Sequence, residues 1–119
     1  MANVNEAIAD LLSIDGAITA AIVDSSSGMV LGKGGTGLNA DIAAAGITEV
    51  VRAELKVIKM LNVKETIDDI LITLGLHYHV IRPLAEKPDL FIYVVLDRAK
   101  ANLAMARYRV TEIETELSI

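Results

Sequence analysis

The sequence contains no cysteine, which removes disulfides, thiolate catalysis and zinc–thiolate sites together. It has no tryptophan, one phenylalanine and three tyrosines, too few for the aromatic platform on which single-stranded nucleic acid stacks. Basic side chains are short as well. Eleven Lys and Arg face sixteen Asp and Glu, a net charge of −5, and they are scattered, so no phosphate-backbone footprint forms. The longest apolar run, "LFIYVVL" from Leu90 to Leu96, falls far short of the roughly 18 residues that span a bilayer. The opening "MANVNEAIADLL" has acidic residues, no basic ones and no long apolar run, unlike a secretory signal. A cytoplasmic location is the expectation.

What is plentiful is apolar residue: 53% of 119 positions, against 23% charged. That excludes disorder and leaves apolar surface to be buried somewhere, a partner subunit being one such place. A chain of this length can bury roughly two thirds of its unfolded surface in one core. No linker, repeat or charge block divides it, so residues 1–119 are expected to form a single domain.

Val4 to Ser13 sets Val4, Ile8, Leu11 and Leu12 on one stripe, opposite Asn5, Glu6 and Asp10, which predicts a short helix closed by Gly16. "AITAAIVD" and "GMVLGKG" read as two strands joined by a Ser25–Gly28 hairpin turn, with Met29 to Leu31 the body of the second strand and Lys33 to Gly37 leading onward. A long helix runs from an Asn39 or Asp41 cap to about Asn62. Its wet stripe is Glu49, Arg52, Lys56 and Lys59, and its apolar arc is wider than one sheet face requires. Ile67–Leu74, His77–Leu84 and Leu90–Asp97 read as a three-strand meander, and Ala99–Leu117 as a helix capped by Asp97. The expected fold is α+β: a five-stranded antiparallel sheet between helices on both faces, in the order α-β-β-α-β-β-β-α, profilin-like. "AITAAIV" and "LFIYVVL" hardly alternate, which calls for cover on both faces. The Ile67–Leu74 strand, flanked by Asp68 and Asp69 as edge gatekeepers, is the candidate for pairing with a second subunit.

Candidate chemistry is thin. "GMVLGK" places three residues between its glycines where a P-loop needs four, and Gly34 stands where Ser or Thr must reach magnesium. "LFIYVVLD" resembles a magnesium-holding strand end but equally a strand leading into a capped helix. His77 and His79 share one side of a strand, a chelating spacing without a third ligand. Adjacent Asp68 and Asp69 point to opposite faces of a strand and cannot form a carboxylate pair there. Ser25 to Ser27 have no histidine partner in view and read as turn residues.

The element order, together with "IDGAITAAIVDSSSGMVLG" and "ANLAMARYRV", resembles the Roadblock family of dynein light chains and bacterial or archaeal small-GTPase regulators. Ile14, Gly16, Ala20, Asp24 and Gly28 carry the first motif; Asn102, Leu103, Ala104, Met105, Ala106 and Arg107 carry the second. The resemblance implies a homodimer joined through the third strand and second helix about a twofold axis, making a ten-stranded sheet. It implies a non-catalytic scaffold or regulator of a Ras-like small GTPase, with no cofactor, no metal and no catalytic residue of its own. Arg52, Arg82, Arg98, Arg107 and Arg109 are present, but no motif singles one out as a finger arginine. The expected dimer interface is Ile47, Val50, Val51, Glu54, Leu55, Ile58, Ile67, Asp68, Ile70, Ile72 and Leu74. Glu49, Arg52, Lys56 and Lys59 are the expected partner surface. The alternatives are a light-chain-like adaptor without a GTPase, and a small metal- or nucleotide-binding domain using His77, His79 and the glycine-lysine stretch.

Overall fold

The structure is a computed structural model describing residues 1–119. It runs α1 (Val4–Leu12), β1 (Ala17–Asp24), β2 (Met29–Gly35), α2 (Ala40–Leu61), β3 (Ile70–Thr73), β4 (His77–Pro83), β5 (Leu90–Asp97) and α3 (Leu103–Glu116). The five strands form one antiparallel sheet in the order β2-β1-β5-β4-β3. The expected element order and meander are both present, and β1 joins the two parts of the sheet by pairing with β5.

The runs that hardly alternate occupy the centre because both their faces are covered. Ala20, Ile22, Ile92, Val94 and Leu96 pack with Ala7, Ile8 and Leu11 of α1 and with Ala106, Val110 and Ile113 of α3. Their neighbours Ala21, Val23, Phe91, Tyr93 and Val95 pack with Ala44, Ile47 and Val51 of α2. Successive side chains on a strand point to opposite faces, so a strand roofed on both sides has no wet position for a polar residue.

The helix starts follow from local chemistry. The Asn3 side chain accepts from the Glu6 N–H while Glu6 Oε1 accepts from the Asn3 N–H, closing a capping box on α1. Asn39 accepts from Asp41 and Ile42 at the start of α2, and Asn62 ends that helix in the left-handed region at φ 57°.

Three expectations about boundaries are corrected. β2 continues through Lys33 to Gly35, because Gly32 and Gly34 let α1 lie directly on the strand. A Cβ at those positions would meet Val4 Cγ1 at 2.3 Å and Leu12 Cδ1 at 2.8 Å. α3 begins at Leu103 with Asn102 as its cap, its side chain accepting from the Met105 N–H at 3.1 Å. Asp97 instead caps the preceding turn, accepting from the Ala99 N–H at 2.9 Å. Asn102→Ala is therefore expected to lower stability by about 1 kcal/mol, seen as a lower urea midpoint with an unchanged slope. Third, β3 is only Ile70–Thr73, so Ile67, Asp68 and Asp69 lie in the approach to the strand and not within it.

Candidate functional site

α2 packs on β1 and β2, and only its first half is anchored there. Ala44, Ile47, Thr48 and Val51 are its buried residues, and none follows Val51. A helix turns about 100° per residue, so Leu55 and Ile58 continue the sheet-facing line beyond Val51. Val50, Glu54, Val57 and Leu61 follow one flank, and Arg52 and Lys59 the other, with Glu49 and Lys56 behind them. The apolar flank is open to solvent: Leu61 is 66% exposed and Val57 42%.

β3 forms one border of the sheet and bonds only to β4. Ile70 and Ile72 pack partly against the cluster beneath α2, while Leu71, Leu74 and Leu76 stand exposed along and just past the strand. An open strand edge and an uncovered apolar helix flank are each the surface pattern of an interface. Asp69 does not guard that edge. Its carboxylate takes two hydrogen bonds from the Arg107 guanidinium, at 2.7 and 2.9 Å, tying the approach to β3 onto α3. This bidentate contact, the largest influence on Arg107, holds the arginine pKa above its usual value. Asp68 is left exposed beside it.

Two residues expected in the dimer interface are corrected: Val51 is fully buried and Ile47 nearly so, both taken up by the chain's own core. Val50, Glu54, Leu55, Ile58, Ile67, Asp68, Ile70, Ile72 and Leu74 retain surface. Val57, Met60, Leu61, Val63, Leu71 and Leu76 add exposed apolar surface that the sequence reading did not assign to the interface. For Val57 and Leu61 the signal was the excess width of the apolar arc, which gives no direction until α2 is placed on the sheet.

Arg52 is also partly spoken for. Its Nε and Nη2 donate to the Ser25 and Ser26 carbonyls at 2.9 and 2.7 Å, pinning the β1–β2 turn beneath α2. The serines are spent in that turn. Ser25 Oγ donates to the Asp89 carbonyl, Ser26 Oγ donates to Asp24, and Ser27 Oγ accepts from the Met29 N–H. The hydroxyl and backbone N–H of Ser26 hold the Asp24 pKa below its ordinary value. Lys33 pairs with Asp41 at the start of α2. Lys56 and Lys59 remain exposed, and neither takes part in an ion pair.

His77 and His79 lie on β4, both half-buried. Tyr93 OH sits 3.3 Å from His79 Nδ1, and the two rings meet edge to face at 5.3 Å and 87°. Burial pulls His79 below its ordinary 6.5, with His77 adding to the effect, and burial pushes Tyr93 up to about 12. No group of three or more His, Cys, Asp or Glu is placed to hold a metal ion. A cavity of about 540 Å³ lies away from α2, between the end of β4 and the C-terminal part of α3, beside the Arg82–Glu114 ion pair. No helix is long and apolar enough to cross a membrane.

No family model and no curated protein matches the sequence, but solved structures match the fold. A Roadblock/LC7 domain from Streptomyces avermitilis superposes with a TM-score of 0.82 at 11% identity, covering 97% of this chain and 94% of that one. MglB from Myxococcus xanthus gives 0.79 at 15% identity over 92% and 89%. A structure of MglB with a tetrameric arrangement gives 0.70 at 16% over 95% and 88%. The likeness is one of fold: the chain has the Roadblock/LC7 architecture from end to end.

Proposed function

We propose that two copies of this chain join through the β3 edge and the open flank of α2, and that the dimer regulates or scaffolds a Ras-like small GTPase without catalysis of its own. The observation that carries the reading is the apolar surface left uncovered on α2 beyond Val51, in a sheet whose β3 edge is also unpaired. A twofold axis lets that surface meet its own copy, and adding strand to strand removes the β3 edge of each sheet. The fold it shares with MglB and the Roadblock/LC7 domain supports the regulatory reading. In such a dimer, residues 1–119 act as one unit in the cytoplasm, and any nucleotide is held by the GTPase, since Gly28 to Gly35 form a turn and a strand.

The flank bearing Lys56 and Lys59 stays outside the seam and is the proposed docking face for the GTPase. Affinity capture from the host with the wild-type chain is expected to recover a small GTPase. Lys56→Glu with Lys59→Glu is expected to reduce that recovery about tenfold or more while the protein stays dimeric, because reversed surface charge acts on encounter and specificity. Recovery of a large scaffold chain with no GTPase would favour the light-chain-like adaptor.

A further inference from the structure

We infer that the cavity between the end of β4 and the C-terminal part of α3 is a binding site for a small apolar peptide, its carboxylate held by Arg82 and its ammonium group turned toward the carboxylates at the mouth. The residues that build it come from β4, the β4–β5 connection, α3 and the segment after α3. The site is therefore complete within one chain and does not depend on the dimer.

The cavity holds about 540 Å³, within the roughly 300–1,000 Å³ of sites that enclose a small organic ligand. Arg82 and Glu114 line it with side chains that are both largely buried. Glu114 is spent on both oxygens, Oε1 accepting from Arg82 Nε and Oε2 from the Ala85 N–H at 2.7 Å. That contact fixes the plane of the guanidinium and uses only one of its N–H donors. Nη1 and Nη2 make no hydrogen bond to the protein, yet no buried side-chain nitrogen lacks a partner, so both reach open space where Arg82 borders the cavity. Two donor groups held in one plane form the fork that takes a carboxylate through both its oxygens. Lys87 adds a second positive charge at the mouth, where its Nζ donates to the Ile119 carbonyl and takes part in no ion pair.

The remaining polar groups select the kind of carboxylate. Glu86 and Glu116 line the same cavity, are exposed, and take part in no ion pair. With Glu114 they outnumber the two cations, so a bare anion meets net repulsion, whereas a ligand with its own ammonium group offers them a partner. Thr111 and Thr115 point the same way. Each hydroxyl already donates to a carbonyl of α3 at 3.0 Å and has only acceptor lone pairs left for a ligand N–H. Leu84, Leu117 and Ile119 supply an apolar wall, which suits aliphatic side chains. Carboxylate, ammonium, peptide N–H and aliphatic body together describe a di- or tripeptide.

Titration of the full chain with leucyl-leucine, its C-terminal amide and its N-acetyl form, followed by amide NMR, tests this. Leucyl-leucine is expected to shift signals from residues 84–87 and 114–118, with a Kd of about a millimolar or below. Amidation and acetylation are each expected to weaken binding at least about tenfold, because each removes one charge-assisted contact. Arg82→Met with Glu114→Leu removes the fork together with its partner and is expected to abolish binding, while Lys87→Gln, at the exposed mouth, weakens it about threefold or more. No shift with any probe at tens of millimolar overturns the site, as does binding that survives the double change. An amide that binds as well as the acid overturns the carboxylate fork. An N-acetyl form that binds as tightly as the free peptide overturns the assignment to a zwitterion.

Discussion

Replacing Val57 and Leu61 together by glutamate is expected to convert the dimer to monomer, raising Kd by at least about a thousandfold. Both side chains lie on the open flank of α2 and are exposed in the single chain, so the fold itself loses little. In a twofold interface every substitution occurs twice. Four carboxylates would then be carried into an apolar seam that offers no adjoining base. Burying an unpaired charge costs several kcal/mol, and each 1.4 kcal/mol is about tenfold in Kd. Analytical ultracentrifugation reads the change in mass, and an unchanged far-UV circular dichroism spectrum shows that the subunit is still folded. A double variant that remains dimeric would place the contact elsewhere.

Glu114→Ala is expected to be the most destabilising single change outside the central core, at about 2–4 kcal/mol. Glu114 on α3 reaches Arg82 on β4 and also accepts from the Ala85 N–H at 2.7 Å. The two side chains are 10% and 18% exposed, so removing the carboxylate strands a guanidinium largely out of water. A fall in Tm of about 10 °C or more is the reading for a domain of this size. The double change Arg82→Met, Glu114→Leu is expected to recover much of the loss, because it removes the charge along with its partner. A single variant as stable as wild type would show the pair to be exchanged for water at no cost.

The fold was legible wherever one physical constraint dominated. β1 and β5 were readable to the residue because apolar runs bounded by Gly16, Ser25, Asp89 and Arg98 leave little choice of boundary. The start of α3 was misplaced because "DRAKAN" offers two capping residues, Asp97 and Asn102. What separates them is tertiary. The 97–101 turn packs on Gly16, where a Cβ would come within 2.9 Å of Ala101, and the Asp97 N–H donates to the Gly16 carbonyl. Reading β3 from Ile67 failed for a similar reason, since Arg107, thirty-eight positions away, claims Asp69. The extent of β2 was hidden because Gly32 and Gly34 look like loop residues until α1 is seen lying on them.

The candidate surface was legible as an excess and not as a direction. The arc of α2 announced more apolar side chains than one sheet face can bury, but Ile47 and Val51 could be separated from Val57 and Leu61 only once the helix was placed on β1 and β2. Arg52 read as part of a wet stripe. Its two bonds to the Ser25 and Ser26 carbonyls depend on a turn twenty-six residues away, which periodicity does not report.

If the open flank of α2 and the β3 edge are covered by a second copy, the purified chain is a dimer. Light scattering on the purified wild-type chain at micromolar concentration reads its mass. The expected mass is twice the 12.7 kDa of one chain; the mass of a single chain at that concentration would mean that no second copy covers these surfaces.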